Sequence, residues 1–207
     1  MPGFDRWTTT WRGIGAGGGD DRLYEDLIAR YAEPQRFYHT LQHLDECFAK
    51  LDDGLAEAER PHEVELALWF HDAVYDVKCH DNEERSADWA QASAARAGVA
   101  PAAAARVHML IMATKHDRTP ATPDERLLVD VDLSILAAPV DRFDEYERQV
   151  RQEYSWVPEA LFRSRRREIL AGFLTRQHIY STSHFRAACE AQARANLVRS
   201  IAALGTS

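Results

Sequence analysis

The sequence predicts an all-α fold, a helical bundle of about eight or nine helices, and three observations predict it. Apolar residues recur at helical spacing almost without interruption from residue 20 onward. No segment alternates in the period-two manner of a strand. The breaks between helical stretches carry proline, glycine and capping residues where helix ends require them.

Taken in order, residues 1–19 read as a flexible arm, because Gly15-Ala16-Gly17-Gly18-Gly19 has too little side chain to hold a fixed structure. Residues 20–207 read as a single domain. Helices are expected over 20–32, 38–52, 61–77, 82–97, 101–116, 123–137, 139–154, 158–178 and 184–203. Pro61, Pro101 and Pro158 suit first-turn positions, while Gly54 and Gly98 fall where helices stop. Thr122-Pro123-Asp124-Glu125 is a capping box, and Asp81-Asn82-Glu83-Glu84 has the same cap-to-carboxylate spacing.

Composition excludes several function classes. The 207-residue chain has a formal net charge of -8 and a pI near 5.6. A nucleic-acid polymer is therefore not an expected partner, since such binding depends on basic surface. Small anionic substrates stay open, provided that local cations or a metal offset the field. The longest apolar run is too short to span a bilayer and residues 1–11 have no apolar signal-peptide core, so no membrane partner and a cytoplasmic location are expected. Cys47, Cys79 and Cys189 are odd in number and far apart, which argues against a disulfide framework or a thiolate zinc site.

The chemistry-bearing residues interrupt apolar helices. His71-Asp72 sits inside Leu66-Ala67-Leu68-Trp69-Phe70-His71-Asp72-Ala73-Val74-Tyr75, with His71 at the centre of the apolar stripe and Asp72 at its edge. Buried polar groups need compensation, and one cation can accept a nitrogen and an oxygen from such a pair. His39 and His43 are spaced i, i+4, on the side opposite the stripe of Phe37, Leu41, Leu44, Phe48 and Leu51. That side is either a solvated face or the lining of a cleft.

Within Leu127–Leu136, Asp132 falls in the apolar arc between Leu128 and Leu136, whereas Asp130 points to the polar side. Asp132 is accordingly assigned to the interior site and Asp130 to a supporting or surface position. His116 is a candidate ligand or base, or a helix-end histidine; its neighbour Lys115 is a candidate for binding substrate. Glu84, beside Glu83, either complements a helix N-terminus or orients water. Arg166 alone of its arginine run points along Phe162, Ile169, Phe173 and Tyr180, so it either clamps a phosphate or pairs with a buried carboxylate.

Two or three imidazoles with two carboxylates make a nitrogen and oxygen site suited to Mn, Mg, Fe, Co, Ni or Zn. Four protein ligands on a six-coordinate ion leave positions for water and substrate, which fits hydrolysis of a phosphate ester. The order of His43, His71-Asp72 and Asp132 on successive helices resembles the HD superfamily of metal-dependent phosphohydrolases, and within it a bacterial family of predicted phosphohydrolases. Tyr38–His43, Leu68–Asp76, Asp81–Ala87 and Asp130–Leu136 are similar to that family's recurring segments, as are Arg166 and the stretch from Phe173 to Tyr180.

The resemblance implies an HD-type all-α domain, with His43, His71, Asp72 and Asp132 as ligands of a divalent metal ion. It also implies a small phosphomonoester or phosphodiester substrate, nucleotide-like in character. The Tyr-His-x-x-x-His arrangement is similar to the cyclic-nucleotide phosphodiesterase branch, which casts His39 as general acid. Two other readings remain: a metal- or nucleotide-binding regulatory module without turnover, and an HD-fold di-iron oxygenase with His39 and His116 as extra ligands.

Overall fold

A computed structural model describes residues 3–205; residues 1, 2, 206 and 207, the ends of the expected arm and domain, lie outside the described residues. The fold is all-α, with ten α-helices, two short 3-10 segments and no strand among the described residues. The chain divides into two compact units after Asp132, where the sequence suggested one domain.

The first unit carries α1 (Phe4–Gly13), α2 (Asp21–Tyr31), α3 (Leu41–Gly54), α4 (Pro61–Phe70), α5 (Asn82–Arg96), α6 (Pro101–Ala113) and α7 (Pro123–Asp132). Its centre is α4, which packs against α1, α3, α5, α6 and α7. Every residue of α4 from Glu63 to Phe70 is buried, so this helix is covered on all sides.

The expected arm is corrected by α1. Trp7, Thr10 and Trp11 form one apolar face at helical spacing, and both indoles are buried. The Trp7 ring meets Trp11 and Trp69, each at 5.3 Å between centroids. Arg6 also bonds Asp52 and Glu65, each at 2.7 Å. The glycine run takes the chain from α1 into α2 over these indoles. Gly15 has φ +92, and a Cβ at Gly19 would lie 2.2 Å from the Trp7 indole nitrogen. Reading the tryptophans together with the glycines would have found this helix. Trp7→Ala is expected to lower unfolding free energy by about 3–5 kcal/mol in urea titration; an unchanged midpoint would mean that α1 is dispensable.

The capping box before α7 forms as expected. Glu125 N–H donates to Thr122 Oγ1 at 3.1 Å, and the Glu125 carboxylate accepts from Thr122 N–H at 3.3 Å. At α5 the expected cap does not form, since the Asp81 side chain makes no capping bond. Asn82 folds back instead and exchanges hydrogen bonds with the backbone of Asp76.

The second unit contains α8 (Val140–Glu153), α9 (Glu159–Thr175) and α10 (Ser183–Gly205), with a 3-10 segment at Leu133–Ala137 packed on α10. Asn196 on α10 donates to Leu136 O and Ala138 O, both at 2.9 Å. Arg166 is buried here and donates to Glu147 at 2.5 Å, while Ser200 donates to the same carboxylate. Of the two roles open to Arg166, pairing with a carboxylate is the one the structure displays, and that carboxylate is partly exposed. Removing Glu147 takes the carboxylate away from the buried Arg166, so Glu147→Ala should cost about 3 kcal/mol in equilibrium unfolding.

Candidate metal centre

The site begins with two helix ends. Thr40 caps α3 by accepting from Gln42 N–H, so the helix starts at Leu41 and His39 stands before it. His43 is thus in the first turn of α3, buried, where the sequence allowed either a solvated face or a cleft. The helix expected over 61–77 ends at Phe70, because the N–H of Asp72 donates to the Tyr31 hydroxyl and that of Val74 to the Ser86 hydroxyl rather than to the preceding turn. His71-Asp72 therefore forms a turn at the end of α4. The His71 Nδ1–H donates to Leu68 O at 2.8 Å, which leaves the Nε2 lone pair facing inward.

Four side chains converge there. His43 Nε2 and His71 Nε2 are 3.2 Å apart. Asp72 Oδ2 lies 3.4 Å from the first and 3.1 Å from the second. Asp132 Oδ1, at the end of α7, lies 3.4 and 3.6 Å from the same two nitrogens. Donors bound about 2.1 Å from one ion at octahedral or tetrahedral angles sit about 3.0–3.4 Å apart, so all of these separations but the 3.6 Å between His71 and Asp132 fall in the span of a shared cation.

Charge compensates charge in this cluster. Burial opposes protonation of His43, but Cys47, Asp132 and Asp72 hold its pKa well above the ordinary range. Burial likewise opposes the charge on His71, and Asp72 and then Asp132 raise it. Burial disfavours ionised Asp72, yet His71, His39 and His43 hold its carboxyl well below the usual range. A cation held by the same donors would take the place of the protons that this arrangement favours on the imidazoles.

Cys47 was not singled out by its sequence, although it sits one turn after His43. His43, Cys47, His71 and Asp132 offer donor atoms within 4.8 Å of one another, a group that can hold a metal ion. The sulfur is 3.6 Å from His43 Nδ1 and 3.7 Å from Nε2, so it packs abreast of the ring and off the Nε2 lone-pair axis. Burial raises its pKa, against the pull of His43.

Around these donors stand the other candidates. His116 donates from Nε2 to Asp132 Oδ2 at 2.9 Å and so holds the carboxylate whose other oxygen faces the imidazoles. It does so from φ 57, the one positive φ outside glycine among the described residues. Its Nδ1 is buried without a hydrogen-bond partner. His39 stacks on Tyr75 at 4.0 Å and its ring is 5.9 Å from that of His43. Lys115 and Glu84 form an ion pair with each other. Glu83, half-buried, is the neighbour whose carboxyl is raised by burial and then by Asp72. Asp130 is fully buried, correcting its expected place toward the polar side. Arg166 belongs to the second unit and its pair with Glu147.

No protein-family model, curated protein or solved structure matches this chain.

Proposed function

We propose that this protein is a divalent-metal-dependent phosphohydrolase acting on a small phosphomonoester or phosphodiester, nucleotide-like in character. The observation that carries the reading is a set of inward donors in which the His43 and His71 Nε2 atoms lie 3.2 Å apart and each is 3.1–3.6 Å from an oxygen of Asp72 and of Asp132. His43, His71, Asp72 and Asp132 would hold the ion, and Cys47 offers a further donor within reach of it. The mixed nitrogen and oxygen set suits Mn, Mg, Fe, Co, Ni or Zn. Such an ion supplies acidity to water and positive charge to a phosphoryl oxygen.

The chain's own residues have separable tasks under this reading. Leu68 O fixes the His71 tautomer, and His116 orients Asp132. His39, outside α3 and next to Asp72 in charge, donates a proton to the leaving oxygen. A net charge of -8 repels a phosphorylated substrate at long range, so local positive charge at the site is what admits it. The resemblance to the HD superfamily supports the same assignment.

The test is turnover of p-nitrophenyl phosphate, bis(p-nitrophenyl) phosphate and nucleoside monophosphates by EDTA-stripped protein with and without added Mn²⁺. Metal-dependent release of phosphate or nitrophenol on at least one ester is expected. Inertness on all of them with every ion of the series would overturn the proposal.

A further inference from the structure

Arg36 lies between α2 and α3, and its side chain has 0% solvent exposure. Its hydrogen bonds join two stretches of chain. Nη1 donates to Asp72 O at 2.6 Å and to His39 O at 3.2 Å, and Nη2 donates to Ala73 O at 3.0 Å. Nε donates to Glu33 at 3.2 Å, which leaves the charge paired. The guanidinium lies 5.3 Å from the Tyr31 ring centroid and 5.6 Å from that of Tyr75, the ring on which His39 stacks.

A buried cation costs free energy, and an apolar side chain would fill the same volume without that cost. What a guanidinium adds is a rigid fork of donors, and here the fork ends on the backbone of His39 and of the His71-Asp72 turn. The two segments so joined carry the proposed proton donor and a proposed metal ligand.

We propose that Arg36 is a positioning residue that fixes His39 relative to Asp72 for protonation of the leaving oxygen. The inference rests on the hydrolase reading above. In the step concerned, the oxygen of water bonds to phosphorus as the ester P–O bond breaks. The departing oxygen keeps that electron pair and takes the His39 proton, and a proton released from the water returns to His39 through solvent.

The discriminating experiment compares phenyl phosphate, whose leaving group needs the proton, with p-nitrophenyl phosphate, whose leaving group needs it far less. Full-length wild type, Arg36→Lys, His39→Gln and the double variant are assayed with Mn²⁺, and Mn²⁺ occupancy is measured alongside. Arg36→Lys is expected to keep its Mn²⁺, to lose about 10–100-fold in kcat on phenyl phosphate, and to lose much less on p-nitrophenyl phosphate. His39→Gln should show the same preference, and the double variant should lose no more than His39→Gln alone. If Arg36→Lys fails to fold, Arg36→Ala with added guanidinium chloride is used, and recovery of phenyl phosphate turnover is expected.

Equal losses on both esters, additive losses in the double variant, an Arg36→Lys indistinguishable from wild type, or no guanidinium recovery would each overturn this inference alone. A wild type inert on both esters would overturn the hydrolase reading, and this inference with it.

Discussion

His71→Ala is expected to yield folded protein that no longer retains one divalent ion per chain. A partner that only supports a ligand is worth about 10–100-fold in metal affinity, and His71 is proposed as a ligand, so its loss should exceed that range. The effect is also readable as stability. At a free Mn²⁺ concentration 100 times its Kd, a bound ion stabilises the wild type by about 2.7 kcal/mol. His71→Ala should abolish the Mn²⁺-induced rise in melting temperature as well as the metal found by elemental analysis. A variant that keeps both would remove His71 from the ligand set.

His116→Gly should separate stability from metal binding. At φ 57 a side chain with a Cβ is strained, and glycine relieves that strain by about 1 kcal/mol. Against this gain stands the lost hydrogen bond from Nε2 to Asp132 Oδ2, worth about 1.5–3 kcal/mol when the acceptor is charged. Metal-free stability is expected to stay within about 2 kcal/mol of wild type, while Mn²⁺ affinity falls about 10–100-fold. Isothermal titration of Mn²⁺ beside urea unfolding gives both numbers. Wild-type affinity in the glycine variant would show that His116 does not orient the site.

These contrasts also show what a linear sequence reveals. The period-3.6 pattern located nine of the ten helices among the described residues, and the four donors stood out because each interrupts or flanks an apolar run. Helix ends were harder, since they depend on distant partners. The helix leading to His71 was drawn seven residues too long because nothing local announces that the Tyr31 hydroxyl, 41 residues earlier, takes the Asp72 N–H. His39 was drawn onto α3 because i, i+4 spacing outweighed the capping preference of Thr40.

Angular reasoning placed Asp132 in the site but put Asp130 toward the polar side, and Asp130 is fully buried. A single apolar arc describes a helix covered on one side, whereas α7 packs against α3, α4 and α6. Cys47 and Arg36 escaped notice for a related reason. A thiol among apolar residues and an arginine in a polar stretch look ordinary until the fold brings His43 and the His71-Asp72 turn beside them.

The most direct measurement is an anomalous-scattering map from crystals soaked in Mn²⁺. A peak is predicted about 2.0–2.3 Å from His43 Nε2, His71 Nε2, an Asp72 oxygen and an Asp132 oxygen. A peak coordinated by other residues, or no peak among these four in protein that binds Mn²⁺ in solution, would contradict it.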